Sequence, residues 1–213
     1  MSFIRQVANE EYNCDLRFGK QTPGRRPAGA NYFVNKDDLQ IFWRCWLPKD
    51  GKPKGIVVLC HGLAEHSGRY EAFAASLTEC GFGVYALDHQ GHGASEGDRS
   101  HVKKFDDFTQ DVLQFTNIAK KRHPQLAHKF FLIGHSMGGL IAVHTALANA
   151  RQWAGVVLSG AALLPDPKLA TPFLISVARF LSNILPQMPL DKLPPDGLCN
   201  DPAVVQNYCA CVQ

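Results

Sequence analysis

A serine stands between two glycines in the run Gly134-His135-Ser136-Met137-Gly138, and the residues on its two sides differ in kind. Before it, Phe130-Phe131-Leu132-Ile133 is a continuous apolar run of strand length. After it, Gly138 to Asn149 reads as a helix. A serine on a tight strand-to-helix turn has its hydroxyl lifted clear of the sheet. The flanking glycines let the backbone pass closely, and the amides and dipole of the helix start face the place where an oxyanion would develop. Ser136 is thus placed to act as a nucleophile. The competing reading is a glycine-rich turn with an inert serine, and the strand before and helix after argue against it.

Two further runs surround this chemistry. Leu59-Cys60-His61-Gly62-Leu63 follows the apolar run Ile56 to Cys60. A loop in that position donates one amide to an oxyanion hole, and the residue after the serine donates the other, which makes Leu63 and Met137 the expected donors. His61 is read as shaping the loop and not as a base. Leu87-Asp88-His89-Gln90-Gly91-His92-Gly93-Ala94-Ser95-Glu96-Gly97 is a compact glycine-rich loop. His89 and His92 invite a metal reading, but no acidic or thiol cluster accompanies them. Asp88 is read as a hydrogen-bonding organiser of the loop. No metal and no cofactor are expected.

The elements that must position these residues follow from hydrophobic period. Asn31 to Val34 and Leu39 to Leu47 read as a β-hairpin turned by Asn35-Lys36-Asp37-Asp38. Buried strands are then expected at Ile56–Cys60, Gly83–Leu87 and Phe130–Ile133 and a fourth strand at Gly155–Ser159, with helices at Tyr70–Cys80, Phe105–Arg122 and Gly138–Asn149 between them. Such alternation implies an α/β fold, a mostly parallel sheet flanked by helices. Residues 1–28 read as a flexible lead-in, 29–160 as the core, and 161–213 as a region of different character. In that last region 169–185 is nearly all apolar, with Arg179 its only charge.

Composition narrows the function classes. The chain has 213 residues, 46% of them hydrophobic, and a formal charge of +3, too small an excess for a nucleic-acid binder. The seven cysteines, Cys14, Cys45, Cys60, Cys80, Cys199, Cys209 and Cys211, are odd in number and irregularly spaced. They read as reduced thiols, with Cys45 and Cys60 as small buried hydrophobes. The start of the chain has no apolar run of signal-peptide length, and no stretch is long enough to span a bilayer. A cytoplasmic location is expected.

His61-Gly62-Leu63-Ala64-Glu65-His66-Ser67-Gly68-Arg69-Tyr70, the run from Asp88 to Arg99, and Gly134-His135-Ser136-Met137-Gly138-Gly139 closely resemble the monoacylglycerol lipases. More broadly they resemble the lysophospholipase-like α/β-hydrolases. The resemblance runs from about Asn31 to about Tyr208. It implies an eight-stranded core sheet, a helical cap inserted after the sixth strand, and hydrolysis of a glycerol ester of a fatty acid through an acyl-serine. By the same resemblance Ser136 is the nucleophile, Leu63 and Met137 are the oxyanion donors, and Glu65 and Arg69 are polar residues near the glycerol end of the pocket. The stretch 169–185 falls where the cap begins. It implies either peripheral membrane contact or a cap helix packed on its own domain.

The resemblance also implies an acid and then a histidine after the serine. The last histidine of the 213 residues is His144, about two helical turns past Ser136 on a helix leading away from it. Asp166, Asp191, Asp196 and Asp201 follow Ser136, but in the cap region. The expectation is a chain that stops inside the cap, lacking the last core strands with the triad acid and base, and nearly inactive by itself. The alternatives are a catalytically dead acyl- or partner-binding pseudo-hydrolase, or a lysophospholipase.

Overall fold

The computed structural model describes residues 31–164, 201, 202, 205 and 206. The lead-in 1–28, the apolar stretch 169–185, Cys14, Cys199, Cys209, Cys211, Asp166, Asp191 and Asp196 lie outside them. The chain divides into two compact units, and residues 31–161 belong to the first. Of the second, Val205 donates its amide to the Asp201 carbonyl at 3.1 Å, one turn of helix.

In the first unit the elements run β1 (Tyr32–Val34), β2 (Gln40–Trp46), β3 (Gly55–Cys60), α1 (Glu71–Glu79), β4 (Phe82–Leu87), α2 (Phe105–Arg122), β5 (Phe130–His135), α3 (Met137–Ala148) and β6 (Gly155–Ser159). Each strand and helix expected from hydrophobic period is present, with ends shifted by a residue or two. The sheet order is β1-β2-β4-β3-β5-β6. β1, β2 and β4 pair antiparallel, while β4, β3, β5 and β6 are parallel.

The apolar runs are continuous because the central sheet is covered on both faces. Along β3 the side chains alternate. Ile56, Val58 and Cys60 enter one core with Phe108, Val112 and Phe115 of α2 and Ile141 of α3. Val57 and Leu59 enter the other with Trp46, Val84 and Ala74 of α1. Cys45 and Cys60 are buried, as small hydrophobes should be, and burial pushes the Cys60 thiol up to about 12. Among the described residues β6 ends the sheet, and Val156, Val157 and Leu158 on it are exposed.

Candidate active site

The site is assembled where β3 and β5 end side by side. Their parallel register sets Cys60 opposite Gly134, so the loop that leaves β3 runs past the turn that leaves β5. Ligand sites of open α/β sheets form at the carboxyl ends of strands in this way. Ser136 is the residue between β5 and α3, with φ 52° and ψ −119°. That is left-handed backbone which a residue bearing a Cβ enters only under strain. The turn is fixed from several directions. The Ser136 amide donates to the Ser159 carbonyl at 3.0 Å, and the Ser136 carbonyl accepts from Gly139 at 2.9 Å and Leu140 at 3.3 Å.

The two glycines of the motif are required by close approach. A Cβ on Gly138 would collide with the Cys60 and His61 carbonyl oxygens, and one on Gly134 with the Gly138 carbonyl. The start of α3 therefore lies directly on the end of β3. On the other side, a Cβ on Gly62 would lie 3.3 Å from Ser136 Cβ and 3.1 Å from a Glu65 oxygen. Among the described residues neither the Leu63 nor the Met137 amide donates to an internal acceptor. The Gly62 amide is already taken, donating to Glu65 Oε2 at 2.8 Å. The Leu63 and Met137 amides are thus left without acceptors among the described residues.

Beneath this loop lie three imidazoles. His61 is fully buried, with its ring centroid 4.4 Å from that of His89 and 5.4 Å from that of His92. Its Nδ1 pairs with the Gly62 carbonyl at 2.8 Å, and its Nε2 accepts the His89 amide at 2.9 Å. With both nitrogens used by the backbone, His61 shapes the loop. Burial, then the neighbouring His92, pushes it down to about 4. Burial likewise lowers His89 and His92. Among the described residues no group of three or more His, Cys, Asp or Glu is arranged to hold a metal ion.

Asp88, also fully buried, organises the neighbouring loop. Its Oδ1 accepts from the Ser67 amide at 2.7 Å and the Ser67 hydroxyl at 2.5 Å, and its Oδ2 accepts from the Ala94 amide at 2.8 Å. Glu65 is placed close to the serine. Its Oε2 also accepts from the Tyr70 hydroxyl at 2.7 Å, and its Oε1 lies 3.5 Å from Arg69 Nε. The Glu65–Tyr70 and His61–His89 pairings were not foreseen from sequence, because no spacing pattern marks them.

No described side chain hydrogen-bonds the Ser136 hydroxyl. His135 turns instead to the Ser159 carbonyl, 3.0 Å from its Nδ1, and His144 packs on Phe105 with ring centroids 5.2 Å apart.

Comparison with known proteins bears on this geometry. The Hydrolase_4 family model, described as Serine aminopeptidase, S33, matches residues 51–210. The chain is 39% identical to a monoglyceride lipase of Homo sapiens over 89% of its own length and 63% of that protein. It is 38% identical to a monoacylglycerol lipase of Mycolicibacterium smegmatis over 84% of its length and 62% of that one. Its fold matches the crystal structure of a Paleococcus ferrophilus monoacylglycerol lipase with a TM-score of 0.63 at 35% identity, covering 79% of this chain and 62% of that one. The chain thus spans a little over three-fifths of the length of these relatives.

Proposed function

The chain belongs to the Hydrolase_4 family and has the α/β-hydrolase fold, and from that premise we propose that it supplies the nucleophile of a serine hydrolase cleaving monoacylglycerols to a fatty acid and glycerol. The observation that carries the reading is Ser136 on its strained turn, with the Leu63 and Met137 amides having no acceptor among the described residues. The Ser136 oxygen attacks the ester carbonyl as its proton passes to a base. The oxyanion is held by the Leu63 and Met137 amides, and glycerol leaves with a proton, giving an acyl-serine. Water then attacks the acyl group and releases the fatty acid. Removing one oxyanion donor in such a site costs on the order of 10²–10³ in rate. Monoacylglycerol is the preferred substrate because the relatives at 38–39% identity carry that name.

Among the described residues no side chain is hydrogen-bonded to Ser136 as its base. In this fold it is a histidine that follows the serine and the acid, and the 213 residues hold none after His144. A serine without a base is a poor nucleophile, and losing the base costs on the order of 10⁶ in kcat. That no described side chain hydrogen-bonds the Ser136 hydroxyl favours a second reading, an acyl-binding pseudo-hydrolase. The apolar stretch 169–185, with Arg179 its only charge, supports peripheral contact with a lipid surface under either reading.

A fluorophosphonate probe separates the two readings. In the protein at its natural length, Ser136 is expected to label rapidly and monoacylglycerols to be hydrolysed in preference to triacylglycerols, with both activities lost in Ser136→Ala. The 213-residue polypeptide is expected to label slowly. Absence of labelling at natural length would favour the pseudo-hydrolase, and rapid labelling of the 213-residue form would show that a base lies within it.

A further inference from the structure

The Leu63 amide is useful to an oxyanion only if its loop holds still, and the loop contains a brace that the reaction itself does not use. Gly62 to Glu65 is a tight turn, with the Glu65 amide donating to the Gly62 carbonyl at 3.3 Å and Ala64 in left-handed backbone at φ 57°. Leu63 is the first corner of that turn and is 39% exposed. A second link closes the turn from the side chain, since Glu65 Oε2 takes the Gly62 amide at 2.8 Å. The same oxygen takes the Tyr70 hydroxyl at 2.7 Å, which ties the turn to the residue just before α1.

Gly62 thus lies against Ser136, and the carboxylate occupies its amide while the next amide, that of Leu63, has no acceptor among the described residues. A free carboxylate here would oppose an oxyanion by like-charge repulsion. This one is compensated. Burial alone would raise it, but the Tyr70 hydroxyl and the Gly62 amide outweigh that and hold Glu65 below its usual range. Arg69 offsets its charge from the far oxygen, Nε to Oε1 being 3.5 Å. Space is fitted to the same end, because a side chain on Gly62 would press on both Glu65 and Ser136.

We propose that Glu65, keyed by the Tyr70 hydroxyl, is a positioning residue that fixes the Gly62–Leu63 turn so that the Leu63 amide faces the oxyanion. The proposal rests on Ser136 being the nucleophile. It differs in outcome from glycerol recognition by Glu65, which would act on one substrate class only.

The test measures kcat and KM, in the protein at its natural length, for a monoacylglycerol and for the p-nitrophenyl ester of the same acyl chain. Tyr70→Phe is expected to lower kcat roughly 10-fold and Glu65→Ala roughly 100-fold on both esters, with KM nearly unchanged. Glu65→Gln is expected to retain more activity than Glu65→Ala, because its amide oxygen can accept the same two bonds. A rise in KM confined to the monoacylglycerol, with the p-nitrophenyl ester unaffected, overturns the proposal, as does an unchanged kcat in Glu65→Ala. Should Glu65→Ala fail to fold, the same split in Tyr70→Phe decides. Ser136→Ala is run alongside: activity surviving there overturns the nucleophile reading and this proposal with it, whereas its loss together with wild-type kinetics in the Glu65 and Tyr70 variants overturns the proposal alone.

Discussion

Ser136 holds its place on the strand-to-helix turn under backbone strain, since φ 52° and ψ −119° suit glycine and not a residue with a Cβ. Such a residue costs on the order of 1–3 kcal/mol and persists where its surroundings over-determine it. Here the Ser159 carbonyl on one side and the first turn of α3 on the other do so. Ser136→Gly is therefore expected to raise unfolding free energy by about 1 kcal/mol while removing the proposed nucleophile. Ser136→Ala, which keeps the Cβ, is expected to leave stability nearly unchanged. Urea melts of the two variants check this, and equal stability of both would show that the turn is unstrained.

At the scale of elements, the loops after β3 and β4 are held by buried polar groups where an apolar core would otherwise be. The Asp88 carboxylate serves three donors from Ser67 and Ala94. Asp88→Ala leaves those donors buried and unpaired, so a loss of about 3 kcal/mol is expected, measurable as a lower urea midpoint. The imidazoles of His61, His89 and His92 give the same region a pH dependence. All three have lowered pKa values, so the unfolded chain binds more protons than the folded one as pH falls. Their contribution is complete above the ordinary histidine value near 6.5 and is lost as pH falls below it, for His61 down to about 4. Each adds up to about 1.4 kcal/mol per pH unit to the slope in that window. His89→Leu is expected to make the decline of Tm between pH 6.5 and 4 shallower, whatever it does to Tm at pH 7. An unchanged slope would show that His89 takes up no proton on unfolding.

For the whole molecule, the decisive feature is the last strand of the described sheet. Val156, Val157 and Leu158 of β6 are 40%, 54% and 41% exposed, on a strand with one free edge among the described residues. Unpaired edge amides and carbonyls beside apolar side chains invite another strand. The 213-residue polypeptide is therefore expected to self-associate, and Val157→Lys to shift it toward monomer, as read by gel filtration and light scattering. A monodisperse wild-type monomer with a sharp, high melting transition would show that this edge is closed within the chain.

Much of this is legible in the sequence, because it is local. The apolar runs of β3, β4, β5 and β6 and the helical spacing of α2 are properties of consecutive residues, and the tight turn at Ser136 is written in its two glycines. Asp88 was legible as an organiser because a carboxylate in a glycine-rich loop has backbone amides within reach. Its partners were not, since Ser67 comes from a different loop. The lateral order of strands was equally hidden, because hydrophobic period says which residues are buried and not which strand lies beside which. Only the register that sets Cys60 opposite Gly134 brings the Gly62 turn against Ser136. Only folding pairs His61 with the His89 amide, 28 residues away, and turns Glu65 onto Gly62 and Tyr70. Residue types and spacing singled out Ser136 as the candidate nucleophile, while the direction of the groups around it depended on side-chain contacts between loops that no period encodes.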